Sequence, residues 1–179
     1  QVGMGRTGSF FSFDDIDIDP DIICLAKGLG GLGTPIAMNL VKPEIDKLWS
    51  PGEHTGTFRG QSLSFVAGKE ALNYFKSSEF MEEVKQKADI MNKALAPLST
   101  VKGIKVRGKG MIIGLDVNDG VLARTIIDEC FDKGLLIATC GTGGQVIKLI
   151  PPLTISERDL MEGLVTLVNA TQHAMEATS

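Results

Sequence analysis

The chain has 179 residues, of which 43% are hydrophobic and 22% charged, and 18 Lys and Arg against 22 Asp and Glu give a formal charge of −4. That length suits one domain, or one domain with part of another, and the apolar content supplies a core and argues against disorder. A mildly acidic balance leaves no electrostatic footprint for nucleic acid or an anionic membrane surface, and apolar runs such as residues 22–26 fall far short of the roughly 20 residues of a spanning helix. Cys24, Cys130 and Cys140 lack the spacing of a zinc site and read as buried, reduced thiols of a cytosolic protein. Gln1 is followed by a glycine-rich turn rather than by a basic and then apolar leader, so the expectation is a chain that starts inside a domain.

Taken in order, residues 3–13 read as a turn-rich loop anchored by Phe10 and Phe11, followed by an acidic segment at 14–21. Residues 22–26 are a short apolar run bounded by Pro20 and Gly28, which predicts a buried strand. A glycine loop at 28–33 leads to a second strand at 36–41, and 44–61 is loop-rich. From Ser62 the period changes: Leu63, Val66, Ala67, Glu70, Ala71 and Tyr74 predict a helix. A second helix follows through Met81, Val84, Ala88, Met91 and Leu95 to about Pro97. Strands are predicted at 104–107 and 111–117, then a helix at 121–133 stopped by Gly134. Strands at 135–139 and 145–150 flank a hairpin signal at 141–144, and Ser156 caps a last helix to about Met175. The expected organisation is a first domain segment at 1–78, a linking helix at 79–97 and a small α+β domain at 98–179.

Two glycine patterns imitate a dinucleotide fingerprint, at Gly3–Gly5–Gly8 and Gly28–Gly30–Gly33. That motif works only between a strand and the helix whose N-terminus holds the pyrophosphate, and neither match has the context. Asp15, Asp17 and Asp19 imitate a calcium loop, but Pro20 stands where the turn needs glycine and Ala26 where it needs a bidentate Glu. No metal site is expected. Lys27 is different. It ends the apolar run and precedes the glycine loop, and a desolvated lysine amine is freed to attack a carbonyl. The competing reading is a lysine whose head reaches out to solvent from a strand end.

The residues around Lys27 decide more. The segment Asp19-Pro-Asp-Ile-Ile-Cys-Leu-Ala-Lys27-Gly-Leu-Gly-Gly resembles the lysine segment of the class III aminotransferases. Val2-Gly-Met-Gly-Arg-Thr-Gly8 resembles the motif after their aspartate-bearing strand, His54-Thr-Gly-Thr-Phe-Arg-Gly-Gln61 their threonine loop, and Gln145-Val-Ile-Lys-Leu-Ile-Pro-Pro-Leu-Thr-Ile155 their C-terminal substrate segment. Four motifs in order cover nearly the whole chain. The resemblance implies an α/β fold, the fold type I of pyridoxal-phosphate transferases, also called aspartate-aminotransferase-like. It implies part of the large cofactor-binding domain at 1–78 and the small C-terminal α+β domain at 98–179, so only the second half of the usual enzyme.

The same resemblance implies pyridoxal 5'-phosphate as cofactor, amino and keto acids as substrates, and a cytoplasmic homodimer or higher homo-oligomer. Lys27 would attach the cofactor and shuttle the substrate proton; Thr57 would hold the phosphate across a dimer interface. A short hydroxyl beside Gly56 suits a phosphate. Lys148 and Arg59 are the candidates to meet a substrate carboxylate. Both depart from most of the family, which has arginine at the first position and glycine at the second; lysine offers only a point charge. Still open are an ω-aminotransferase acting on ornithine or 4-aminobutyrate, an aminomutase of the same fold, and a truncated half-domain without function. The pyridine-binding aspartate, the ring-stacking aromatic and the phosphate-cupping turn of the family precede Gln1, so the 179-residue chain by itself is expected to be inert.

Overall fold

The computed structural model describes residues 1–177. The chain divides into two compact units, Gln1–Met81 and a second beginning at Glu82.

The first unit is built on a two-stranded antiparallel ribbon. Strand β1 (Ile22–Ala26) pairs with β2 (Ala37–Val41), with Cys24 opposite Asn39 and Ala26 opposite Ala37. A one-turn helix α1 (Pro43–Asp46) follows, its proline in the first turn where no N–H is needed. After an irregular segment comes α2 (Ser62–Asn73). The turn-rich start of the chain is held by aromatic edges: Phe10 meets Phe11 and Phe75 edge-on at centroid separations of 4.8 and 5.1 Å. Lys42 ties the acidic segment to the ribbon through Asp19 at 2.7 Å and Asp21 at 3.2 Å.

Helix α3 (Glu79–Leu95) carries the boundary between the units in its first turn. It ends at Leu95, and Ala96–Thr100 tightens into a 3-10 helix because Pro97 cannot continue the α-helical ladder. A four-stranded antiparallel sheet follows, in the order β3–β4–β6–β5, from β3 (Lys105–Lys109), β4 (Ile112–Asp116), β5 (Ala138–Cys140) and β6 (Val146–Leu149). Helices α4 (Gly120–Asp132) and α5 (Glu157–Ala177) pack against each other. Ile113, Leu115, Ile147 and Leu149 of the sheet, Ala123, Ile126 and Cys130 of α4, and Leu160, Leu164 and Leu167 of α5 form the core. Asp119 caps α4 by accepting from the Val121 and Leu122 amides, and Ser156 Oγ accepts from the Asp159 amide at the start of α5. Buried Lys87 on α3 donates to the Leu153 carbonyl at 3.0 Å, latching the segment after β6.

Three expectations are corrected. The run at 22–26 is a strand but not a buried one: Ile22 and Cys24 are exposed on a ribbon that has no third strand among the described residues. The segment 28–33 is not loop throughout, since Lys27–Gly30 forms a 3-10 turn. The strand predicted at 135–139 shrinks to Ala138–Cys140. Gly134, at φ 83°, ends α4 in a left-handed turn, and the Leu135 amide donates back to the Cys130 carbonyl at 2.8 Å, so Leu135 belongs to the helix cap.

Candidate active site

Lys27 opens the 3-10 turn at the end of β1 and adopts φ +54°, a left-handed conformation uncommon for a side chain with a Cβ. Ala26 before it is fully extended and Gly31 after it is again left-handed, so the chain reverses sharply around the lysine. The turn is pressed against α2. A Cβ on Gly68 would lie 2.8 Å from the Leu29 carbonyl oxygen, and one on Gly31 would lie 3.1 Å from the Ala67 carbonyl oxygen. Two glycines therefore let helix and turn backbones meet. On the other side, Gly28 packs on Met4 of the first glycine loop, and Gly3 of that loop on Leu25. Thr34 Oγ1 donates to the Gly30 carbonyl at 2.9 Å and closes the turn.

The expectation of a desolvated Lys27 is corrected. The side chain is exposed, on the rim of an open depression of about 780 Å³ lined by Ala26, Lys27, Gly28, Gly31, Thr34 and Ile36 among others. Its amine makes no hydrogen bond or ion pair among the described residues.

Thr57 and Arg59 lie in the exposed segment between α1 and α2, five and three residues before α2 begins, and do not line that depression. The Thr57 hydroxyl is unpartnered among the described residues. Arg59 folds back over Gly56, and its Nη1 donates to His54 Nε2 at 2.7 Å. Arginine has no acceptor, so the imidazole accepts at Nε2 and carries its proton on Nδ1. The ring packs against Trp49 at 4.8 Å. His54 is thus part of the Arg59 arrangement, which spacing alone did not reveal. Lys148 belongs to the second unit, where it occupies the interior strand β6 opposite Gly114 on β4 and Ala138 on β5. It is partly buried and has no hydrogen bond or ion pair among the described residues.

The mixed α/β architecture is what the family resemblance implied, and family comparison agrees. The class III aminotransferase family model matches residues 1–171, and the chain belongs to that family. Among curated relatives, the diaminobutyrate–2-oxoglutarate transaminase of Wolinella succinogenes is 48% identical over 167 residues, covering 92% of this chain and 39% of the relative. That of Halalkalibacterium halodurans is 41% identical over 180 residues, covering 98% and 42%. The chain therefore spans about two fifths of the length of these relatives. Among solved structures, the ornithine aminotransferase of Toxoplasma gondii, described with partial occupancy of PLP at its active site, superposes with a TM-score of 0.87 at 25% identity. It matches 99% of this chain and 42% of that one. The fold is that of the fold type I aminotransferases.

Proposed function

We propose that the chain serves pyridoxal-phosphate-dependent transamination, moving an amino group from glutamate to aspartate 4-semialdehyde to give 2,4-diaminobutyrate and 2-oxoglutarate. The observation that carries this is the unpaired Lys27 amine on the rim of the glycine-lined depression, in a chain of the class III family whose relatives carry that enzyme's name. In this reading the chain works in the cytoplasm at the amino-transfer step that opens ectoine synthesis, and functions in a homodimer or higher homo-oligomer. Residues 1–78 act as part of the large cofactor-binding domain, 79–97 as the linking helix and 98–179 as the small domain; the last two positions lie outside the described residues.

The residues present fit the cofactor. Lys27 offers a free amine for covalent attachment, and Thr57 a free hydroxyl for a phosphate oxygen. When bound, pyridoxal phosphate supplies the electron sink for the substrate's α-carbon bond. Lys27 Nζ takes the proton from that α-carbon and delivers it to the cofactor side of the substrate's nitrogen, the shift that transamination requires. Lys148 meets a substrate carboxylate as a point charge. Arg59 serves the same end only after leaving His54, to which it is now hydrogen-bonded. A second reading is an ornithine-type ω-aminotransferase of the same class, favoured by the structural likeness to the ornithine enzyme.

The test is to incubate the chain with pyridoxal phosphate, reduce with borohydride so that the cofactor is fixed to whichever amine it joined, and map the modified lysine by peptide mass spectrometry. Label concentrated at Lys27 and lost in Lys27→Arg is expected, with weaker retention in Thr57→Val. Label spread evenly over the surface lysines overturns the assignment. The two substrate readings separate by supplying the holoenzyme with glutamate and aspartate 4-semialdehyde, or with ornithine and 2-oxoglutarate.

A further inference from the structure

Across the sheet of the second unit, one row of directly opposed residues reads Arg107 on β3, Gly114 on β4, Lys148 on β6 and Ala138 on β5. Directly opposed residues project to the same face of a sheet. The face is the one away from Ile113, Leu115, Ile147 and Leu149 of the core. A Cβ built on Gly114 falls 3.9 Å from Arg107 Cγ and 3.0 Å from Cγ1 of buried Val146, so the arginine stem and a valine methyl lie over the glycine. By register Arg107 and Lys148 stand on either side of Gly114, their Cα atoms about 10 Å apart over two strand spacings. Arginine and lysine are long enough to converge over that gap.

The two cations differ in how they are partnered. Lys148 is partly buried with no anion partner among the described residues, a costly arrangement for a charge left without a ligand. Arg107 pairs on one side with Asp116, Nη2 to Oδ2 at 3.1 Å. Asp116 is itself fixed: its side chain is 14% exposed and its Oδ1 accepts from the Asn118 amide at 3.0 Å. One edge of the guanidinium is held by a rooted carboxylate, and the rest of its donors have no partner among the described residues. A guanidinium anchored on one edge presents the other as a preformed fork for a second oxyanion.

We infer that Arg107 and Lys148 together form a seat for the carboxylate of a small amino or keto acid, from the two sides of Gly114. Arg107 is then a specificity-determining residue. It restores the bidentate geometry that lysine at 148 cannot supply. The inference rests on the reading of Lys148 as the residue that meets a substrate carboxylate.

The experiment titrates the isotopically labelled full chain with glutarate, and with the uncharged glutaramide as control, following amide resonances. Saturable shifts at Gly114 and Ala138 with glutarate alone are expected. Lys148→Met and Arg107→Met each raise the dissociation constant by about fivefold or more, with Arg107→Lys in between because it keeps the charge and loses the fork. Arg107 is 62% exposed, so its replacement leaves the fold intact, checked by the unchanged spectrum of the core. Weakening by Lys148→Met alone overturns the role of Arg107 and leaves the reading of Lys148 standing. Weakening by Arg107→Met alone overturns both the seat and that reading. Absence of saturable shifts, or equal shifts with glutaramide, overturns the seat.

Discussion

Lys27 combines two properties that conflict in an ordinary loop: a long side chain with a Cβ and a backbone in the left-handed region, at φ +54°. For a residue with a Cβ that conformation costs about 1–2 kcal/mol, and such strain persists only where surrounding packing imposes it. Here the imposing contacts are those of the turn with α2. Both Lys27→Gly and Lys27→Ala remove the amine, yet they are expected to differ in stability. The glycine variant unfolds at higher denaturant, by about 1 kcal/mol, since only alanine keeps the strain. Equal stabilities in urea melts would mean that Lys27 relaxes out of the left-handed region. At Cys130, fully buried on α4, burial first and Glu129 second push the thiol up to about 11. An unfolded thiol ionises near 9, so between about pH 9 and 11 unfolding releases a proton and rising pH favours the unfolded chain. The stability held below pH 9 is therefore lost through that window, by at most about 1.4 kcal/mol per pH unit, and Cys130→Ala flattens this part of the curve. A pH–stability profile unchanged by that substitution overturns the assignment. The lysine's identity and its flanking glycines were legible in the chain, whereas its exposure was not, because burial depends on which surfaces meet the ribbon.

Helix α2 shows the same division at the level of an element. Its apolar spacing from Ser62 was sufficient to place it, and it forms as Ser62–Asn73. Gly68 in its middle looks like a defect by propensity, since alanine in a helix interior is favoured by about 1 kcal/mol. The packing reverses the sign: a Cβ at 68 would press on the Leu29 carbonyl at 2.8 Å, and backbone does not yield cheaply. Gly68→Ala is expected to destabilise the first unit by about 1–3 kcal/mol and to shift the amide resonances of the Lys27 turn. A stabilised variant with unchanged resonances there would show that turn and helix are not in contact. The shortened β5 teaches the converse. Leu135 and Leu136 continue an apolar run that reads as strand, but the left-handed Gly134 and the returning Leu135 amide assign the first of them to the helix cap and leave Leu136 exposed.

For the molecule as a whole, the unequal covering of the two units matters most. The second has a continuous core of sheet and helices, while the first exposes Leu48, Trp49, Phe58 and Leu63 along one stretch of sequence, with Phe58 at 99%. Large apolar side chains clustered in sequence at the surface mark a face that associates, and a net charge of −4 gives little repulsion to oppose it. The purified chain is expected to associate in a concentration-dependent manner in sedimentation velocity, and Phe58→Ser combined with Leu63→Gln to shift it toward monomer. A wild-type chain that stays monomeric across the accessible range would contradict this. No helix among the described residues is long and apolar enough to cross a membrane.

Family membership and most helices and strands could be read from residue order, and so could the choice of Lys27 as a candidate, because they depend on local spacing: period 3.6 or 2, a cap, a glycine at a turn, a motif of a few adjacent residues. Three features could not be read that way. The exposure of Lys27, the hydrogen bond from Arg59 to His54 and the row Arg107–Gly114–Lys148–Ala138 each depend on which backbone lies beside which. Residues 107 and 148 stand 41 positions apart, and only the antiparallel register of β3, β4 and β6 sets them on either side of one glycine. Register follows from the collective fit of the buried face, to which Ile113, Leu115, Ile147 and Leu149 contribute jointly. The charged face inherits its pairing from that fit, which is why no local pattern announced it.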